Sequence, residues 1–139
     1  MRTVTVKLRK SVPIVIGKGA LSAAVNDAAA SPLAGSYCII TDSNMKRLLA
    51  DKLAAEMIKR GIKTAVVAFP YGEKSKNLET VNAVCERMAK LGLSRDTAVI
   101  ALGGGVVGDL AGFVAAVFAR GIPYVQIPTT LLAMVDSSI

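Results

Sequence analysis

Short apolar runs alternate with amphipathic helical patterns along most of this chain, and no other feature constrains the fold as strongly. Strands that are apolar on both faces belong to a parallel sheet, which helices cover on both sides and right-handed crossovers connect. The sequence therefore predicts an α/β fold in which a mostly parallel sheet is doubly wound by helices. The predicted strands are Tyr37 to Thr41, Thr64 to Phe69, Thr97 to Leu102 and Tyr124 to Ile127.

Two amphipathic helices are predicted between these strands, each with a glycine stop. The first ends at Gly61 and the second at Gly92. The apolar residues of the first recur every fourth position, at Met45, Leu49, Leu53 and Met57. Those of the second are predicted to line one face, and they are Leu78, Val81, Val84, Cys85, Met88 and Leu91.

A third helix is predicted from Val106 to Ala119, and it is apolar nearly all round. A helix on the protein surface would show a polar stripe. We therefore expect this helix to be buried on more than one face, against another domain or a second subunit. Because the last residues, V-D-S-S-I, carry no helix stop, we interpret the chain as the first part of a longer protein.

The amino terminus is predicted to form a β-hairpin ahead of the parallel sheet. Thr3 to Leu8 and Val12 to Ile16 are rich in β-branched residues and flank Lys10-Ser11. With 139 residues, of which 53% are apolar and 19% charged, the chain is long and apolar enough for one domain with a real core. We take residues 1–139 as that domain.

The net charge of +7 favours an anionic ligand, and nucleic acid is the competing partner. The basic residues are scattered and aromatic residues make up only 4%, so no base-stacking surface is visible and we expect no nucleic acid. Cys38 and Cys85 are interpreted as free core residues in a reducing compartment. We see no export signal, and Asp109 within the most apolar region argues against a membrane span.

Polar residues follow the predicted strands, where the carboxyl ends of parallel strands share one edge of the sheet. Ligands of doubly wound folds bind at this edge. The sequence therefore predicts that four loops converge on one crevice, at Asp42-Ser43, Gly72 to Lys76, Gly103 to Asp109 and Thr129-Thr130.

The stretch A-L-G-G-G-V-V-G-D at residues 101–109 follows one strand and opens the third helix. Gly103, Gly105 and Gly108 have the G-x-G-x-x-G spacing of dinucleotide-binding turns, where a pyrophosphate lies at a helix N-terminus. The ribose-binding acid expected about 20 positions further on is missing, because Ile127 to Leu131 occupies that region. The motif alone leaves two readings open, a pyrophosphate site or a turn that only lets helix and strand pack closely.

Four motifs occur in order along the chain: G-E-K-S-K at 72–76, G-G-G-V-V-G-D-L-A-G-F at 103–113, R-G-I at 120–122 and I-P-T-T-L-L-A-M-V-D-S-S at 127–138. With the opening hairpin, they resemble the amino-terminal domain of the 3-dehydroquinate synthase family over essentially the whole chain. The resemblance implies a Rossmann-like NAD-binding domain of a cytoplasmic homodimer.

The resemblance also implies an activity for the longer protein, in the shikimate pathway of aromatic amino acid biosynthesis. The enzyme would convert 3-deoxy-D-arabino-heptulosonate 7-phosphate, a phosphorylated sugar acid, to 3-dehydroquinate and phosphate. NAD would oxidise a substrate hydroxyl and later return the hydride. The family's Zn or Co ligands, one Glu and two His, lie beyond this chain, which has no histidine. We therefore expect no metal ligand here and no turnover by this chain alone.

Cofactor-binding residues follow from the resemblance. Asp42 would lie at the adenosine side, and Glu73 and Lys76 would contact ribose and neighbouring polar groups. Backbone N–H groups at the start of the third helix would bind the pyrophosphate, and Thr129 and Thr130 would lie near the nicotinamide. The full set is Asp42, Tyr71, Gly72, Glu73, Lys74, Ser75, Lys76, Gly105, Val106, Val107, Gly108, Asp109, Thr129 and Thr130.

Several of these residues have a structural alternative. Without the resemblance, Glu73, Lys74 and Lys76 of G-E-K-S-K would be interpreted as residues of an ordinary solvated loop. Asp109 would repel a phosphate, so it is expected to cap the helix or to bind ribose or substrate hydroxyls. Thr129 and Thr130 have helix capping as their alternative.

Two residues are implied to act on the substrate. Asp136 would lie near the reacting atoms, and Arg120 would reach the substrate phosphate from the neighbouring subunit. The guanidinium fork suits that role because it forms paired hydrogen bonds to phosphate oxygens. A cation that favours a helix C-terminus is the alternative for Arg120.

Other functions share some of these features. Related sugar-phosphate cyclases that make valiolone- or inosose-type rings have the same cofactor motifs. Metal-dependent alcohol dehydrogenases share a glycine-rich turn followed by Asp, but lack the E-K-S-K loop and the T-T-L-L-A-M-V-D-S-S stretch. A non-catalytic nucleotide-binding module is the alternative from another class, and the apolar third helix argues against it.

Overall fold

The computed structural model describes residues 1–7 and 11–138, in two compact units, Met1–Pro32 and Leu33–Ile139. In the first unit, β1 (Arg2–Lys7) pairs antiparallel with β2 (Ser11–Ile16), which confirms the predicted hairpin. The turn at Lys10 and the predicted strand end at Leu8 lie outside the described residues. Helix α1 (Ala20–Ala30) follows. The sequence analysis did not predict it, because its many alanines give no clear apolar stripe, and in the structure only Val25 of this helix is buried.

The second unit contains a four-stranded sheet in the order β4-β3-β5-β6, and all neighbouring strands are parallel. The sequence predicted each strand to within a residue at either end. This confirms the mostly parallel sheet. The strands are β3 (Ser36–Asp42), β4 (Thr64–Phe69), β5 (Thr97–Gly103) and β6 (Tyr124–Pro128).

Helices cover both faces of this sheet, as a doubly wound fold requires. Alternate strand residues, including Cys38 and Val99, form one core with α4 and α5. The residues between them, such as Ile39 and Ile100, are also buried, and α3 packs on β4. The helices are α2 (Ser43–Met45), α3 (Asp51–Lys59), α4 (Leu78–Lys90) and α5 (Gly105–Val117). The other helical turns are Lys46–Ala50, Glu73–Ser75, Phe118–Arg120 and Ala133–Ser137.

The turn Lys46–Ala50 is π-helical and joins α2 to α3 without a break. A strict four-residue repeat drifts around an α-helix of 3.6 residues per turn, and a wider π turn offsets that drift. Leu53 and Met57 stand one turn apart on the same face of α3 and are both buried, whereas Met45 and Leu49 before them are half-buried. On α4 the predicted apolar face is shorter than expected, because Leu78 and Leu91 at its ends are exposed.

The prediction that the third helix extends to Ala119 was wrong. Helix α5 ends at Val117, and Ala119 and Arg120 both have left-handed backbones, with φ of 48° and 69°. The apolar surface of α5 is only partly covered within this chain, because Phe113 and Val117 are each 48% exposed. Cover by another domain or subunit remains a prediction.

We expect Ala119→Gly to stabilise the protein, although the same change in a helix destabilises it. A left-handed residue with a Cβ costs about 1 kcal/mol, and glycine removes that cost. Urea unfolding should show a gain of about 1 kcal/mol for Ala119→Gly and a loss of about 1 kcal/mol for the control Ala83→Gly, at an exposed site within α4. A loss for both variants would contradict the strain argument.

Candidate functional site

The chain leaves β3 and β5 in opposite directions across the sheet, since β3 leads to β4 on one side and β5 leads to β6 on the other. Between two such strands the connecting segments diverge to opposite faces and leave a crevice at the carboxyl edge. A crevice of about 510 Å³ opens there. Its walls are formed by Asp42, Asn44, Met45, Leu48, Phe69, Tyr71, Gly72, Glu73, Gly104, Gly105, Val106, Val107, Thr129 and Thr130.

This lining confirms that the four predicted loops converge on one crevice. Nine of the fourteen predicted cofactor-binding residues line it, and Lys74, Ser75, Lys76, Gly108 and Asp109 do not. The sequence analysis missed Asn44, Met45, Leu48 and Phe69. They lie at the end of β4 and in the first turns after β3, so the strand-end rule could have included them.

The N-terminus of α5 opens onto this crevice. Its cap residue is Gly104, which offers no side chain, and the first intrahelical bond runs from Gly108 N to Gly104 O at 3.0 Å. Within the described part of the chain, the N–H groups of Gly105, Val106 and Val107 therefore have no acceptor. Three unpaired donors at the positive end of a helix form an anion-binding site. The donors match the predicted pyrophosphate-binding backbone, except that Gly108 N is already bonded.

The glycines of this turn have two different functions. A Cβ on Gly103 would lie 2.5 Å from Val107 Cγ2, and a Cβ on Gly108 would lie 2.8 Å from Gln126 Oε1, so these two allow helix and strand to pack. A Cβ on Gly104 would lie 3.2 Å from Thr130 Cγ2, between two walls of the crevice. The close-packing reading is therefore confirmed at Gly103 and Gly108, and the pyrophosphate reading stays a prediction.

Asp42 is buried at the carboxyl end of β3, with 6% of its surface exposed. Its Oδ1 accepts hydrogen bonds from the backbone N of Asn44 and Met45, at 2.8 and 2.9 Å, and so caps the helix that follows. No described residue donates to Oδ2. One oxygen thus fixes the carboxylate while the residue lines the crevice.

The loop after β4 is held by polar contacts at its base. Tyr71 N donates to Ser43 Oγ at 3.1 Å, and Ser75 is buried, with its hydroxyl donating to Pro70 O. Gly72 has a φ of 114°, which a residue with a side chain rarely adopts. This turn places Glu73 on the crevice wall, whereas Lys74 is exposed outside it. Ser75 therefore supports the loop.

Lys76 and Asp109 form an ion pair of 2.6 Å that links this loop to α5. Its hydrogen bond to the carboxylate raises the pKa of the Lys76 ammonium. Both residues border a separate groove of about 270 Å³ between α4 and α5. The capping alternative for Asp109 was wrong, because α5 begins at Gly105 and Asp109 lies in its second turn, and its contact with ribose or substrate hydroxyls stays a prediction. The paired Lys76 offsets its charge.

The two threonines after β6 hold the chain at the crevice. Thr129 N donates to Gly103 O at 2.9 Å, which fastens the end of β6 to the glycine turn. Thr130 Oγ1 accepts from Ala133 N at 3.2 Å, so its capping alternative is confirmed. Both residues also line the crevice, and capping therefore does not exclude a ligand contact.

Arg120 and Asp136 lie outside the crevice. Arg120 is exposed beyond the C-terminus of α5, about 20 Å along the helix axis from the glycine turn. Asp136 is exposed on the helical turn Ala133–Ser137, whose neighbouring Ser137 approaches Gly105. Neither residue is among those that line the crevice.

Cys38, Cys85 and Tyr124 are further titratable groups that lie outside the crevice. Cys38 and Cys85 are free, as predicted, and burial raises the pKa of the Cys38 thiol to about 12. Burial, with the nearby Asp109 charge, also raises the pKa of Tyr124 to about 12, and its hydroxyl donates to Gly108 O at 2.8 Å.

In residues 1–7 and 11–138, no cluster of three or more His, Cys, Asp or Glu side chains is arranged to hold a metal. No helix in that part is long and apolar enough to cross a membrane.

A parallel doubly wound sheet, with a crevice at its switch point and an uncapped helix N-terminus in that crevice, defines a Rossmann-like α/β domain. A family model described as 3-dehydroquinate synthase N-terminal matches residues 66–139, and the chain belongs to that family.

Individual relatives agree with this assignment. The 3-dehydroquinate synthase of Pelobacter propionicus is 42% identical over 140 residues, which cover 100% of this chain and 39% of the relative. Among solved structures, 2-deoxy-scyllo-inosose synthase, complexed with carbaglucose-6-phosphate, NAD+ and Co2+, has a TM-score of 0.86 at 30% identity, covering 98% of this chain and 38% of that one. ValA, a 2-epi-5-epi-valiolone synthase from Streptomyces hygroscopicus with NAD+ and Zn2+ bound, has a TM-score of 0.69 at 32% identity. The match covers 83% of this chain and 32% of that one.

Proposed function

We propose that this chain is the NAD-binding domain of a 3-dehydroquinate synthase. In the full-length protein it would serve the conversion of 3-deoxy-D-arabino-heptulosonate 7-phosphate to 3-dehydroquinate and phosphate, in the cytoplasm. The observation that carries the proposal is the uncapped N-terminus of α5 in the switch-point crevice, because its three unpaired N–H groups suit a pyrophosphate. When bound, NAD supplies reversible hydride transfer to and from the substrate.

The side chains of the crevice fit the rest of the dinucleotide. The backbone N–H groups of Gly105, Val106 and Val107 hold the pyrophosphate, and the bare Gly104 lets it approach. Asp42 and Glu73 accept hydrogen bonds from ribose hydroxyls, and Thr129 and Thr130 position the nicotinamide half. Lys76 and Asp109 act as a pair, which keeps the loop Gly72 to Lys76 against α5. Tyr71, Lys74 and Ser75 shape that loop.

The metal belongs outside the described residues. No cluster in them can hold Zn or Co, and the whole chain has no histidine. The chain also spans only 39% of the length of the Pelobacter relative. We therefore assign metal and most substrate contacts to the rest of the full-length protein, and we expect this domain alone to turn over no substrate.

The full-length protein is proposed to be a homodimer. Several large apolar side chains are exposed on α5 and the segment after β6, where water would otherwise contact them. Arg120, beyond the far end of α5, would reach the substrate phosphate of the neighbouring subunit. The exposed side chains are Phe113, Val117, Leu131, Leu132, Met134 and Val135.

A related cyclase with another substrate is the second candidate, favoured by the TM-score of 0.86 to 2-deoxy-scyllo-inosose synthase. Sequence identity favours the first candidate, at 42% to a 3-dehydroquinate synthase against 30% to that cyclase. To test this, the full-length protein is incubated with NAD, Co2+ and either the heptulosonate phosphate or glucose 6-phosphate. Phosphate release and the mass of the product are then measured. We expect 3-dehydroquinate from the first and no phosphate from the second. Turnover of glucose 6-phosphate alone would reverse the assignment.

A further inference from the structure

The chain passes from α5 to β6 through a tight corner, residues 118–122, whose backbone is unusual. Ala119 and Arg120 both have left-handed conformations, with φ of 48° and 69°. Every other residue of positive φ in residues 1–7 and 11–138 is a glycine, which adopts this conformation without steric cost. The two exceptions are adjacent, and they mark the 118–122 corner as a strained segment.

The corner is held in this conformation by the residues on either side of its tip. Ile122 N donates to Ala115 O at 2.9 Å, which fastens the end of the corner to the last turn of α5. Ile122 belongs to the buried core, and Phe118 and Ala119 pack against that core partly buried. These contacts stabilise the left-handed backbone and leave Arg120 exposed at the tip.

The strain brings Arg120 no contact within the described residues. None of them forms an ion pair or a hydrogen bond with its guanidinium. Strained backbone persists where the surrounding structure holds it, and it clusters at functional sites. A guanidinium forms paired hydrogen bonds to phosphate or carboxylate oxygens. We infer that the corner presents Arg120 to an anionic group outside the described residues.

The Cβ of Ala119 limits the conformations that this corner can adopt. A residue with a side chain has only a small left-handed region, whereas glycine occupies a broad range of positive φ. The backbone at Ala119 sets the direction in which the Arg120 side chain leaves the protein. A narrow range of directions reduces the conformational entropy that Arg120 loses when its guanidinium binds an anion.

We propose that Ala119 is a positioning residue, whose strained backbone holds Arg120 in the direction from which it binds the substrate phosphate of the neighbouring subunit. The proposal rests on the proposed function of Arg120 in the full-length dimer. It adds that the corner is less stable than a glycine would make it, because a rigid corner favours binding.

The experiment compares full-length Ala119→Gly with wild type, by urea unfolding and by the kinetics of phosphate release from the heptulosonate phosphate. Glycine removes the strain and widens the range of directions open to Arg120. Stability and activity should therefore change in opposite directions, so that the urea midpoint rises while kcat/KM falls about fivefold or more.

Two further variants separate rigidity from stability. Ala83→Gly is the matched control, because it is an exposed site within α4, and it should lower the urea midpoint and leave kcat/KM unchanged. Ala119→Asn keeps a Cβ in a residue type that tolerates the left-handed region. Its kcat/KM should therefore equal that of wild type.

A double variant tests whether Ala119 acts through Arg120. Adding Ala119→Gly to Arg120→Ala should lower kcat/KM no further than Arg120→Ala alone, because no guanidinium is left to position. An unchanged kcat/KM in Ala119→Gly, or an equal further loss in the double variant, would overturn the positioning role alone. Wild-type kcat/KM in Arg120→Ala would instead overturn the proposed function of Arg120, and the positioning role with it.

Discussion

Gly104→Val is expected to abolish cofactor binding while the domain stays folded. The backbone of Gly104 is extended, with φ of −81° and ψ of −168°, and valine favours this region. Its side chain would project toward Thr130 and fill the space between two crevice walls. Titration of the full-length variant with NAD should show affinity at least about 100-fold below wild type.

The control for this variant is Gly112→Ala on the same helix, where a Cβ would lie 3.4 Å from the Tyr124 ring in ordinary contact. It should bind NAD as wild type does. Gly108→Val would be a poor test, because its side chain would meet Gln126 and disturb packing instead of the ligand. If folded Gly104→Val binds NAD with the affinity of wild type, the proposal that NAD binds in this crevice is wrong.

Replacement of Arg120 is expected to cause a large loss of enzyme activity, and this loss should depend on which subunits pair in the dimer. Arg120→Ala should lower kcat/KM of the full-length enzyme about 100-fold, since a paired hydrogen bond to phosphate is lost. Arg120 lies about 20 Å along α5 from the glycine turn, so a role across a subunit boundary is the geometrically simpler one.

Mixed dimers test that boundary directly. Arg120→Ala and Gly104→Val subunits, each inactive alone, are unfolded together and refolded as a mixture. In a hybrid dimer, the crevice of the Arg120→Ala subunit is intact and receives Arg120 from the Gly104→Val subunit. Random pairing should therefore restore up to about a quarter of wild-type activity. If refolded wild type regains activity but the mixture does not, Arg120 acts within its own subunit or not on substrate at all.

The strands and the place of the crevice were predictable from the sequence, because each depends on local pattern. Continuously apolar runs such as Thr97 to Leu102 can only be buried on both faces, and polar loops after parallel strands must share one edge. The side-chain contacts of the loops were harder to predict from the sequence. Asp109 was expected to cap a helix or to bind ribose or substrate hydroxyls, and the sequence did not reveal its ion pair with Lys76, which stands 33 positions earlier in the chain.

The sequence by itself determined the doubly wound sheet, the glycine turn and the family, because residue periodicity and ordered motifs are properties of the chain alone. The tertiary structure decided how the predicted Asp42 is held beside the glycine turn. A ribose-binding acid is missing after the motif, but β3 pairs with β5 and brings Asp42 there, with Thr41 bonded to Leu102 across 61 positions. Strand pairing joins residues by hydrogen bonds between distant segments, and no local pattern specifies which strands become neighbours.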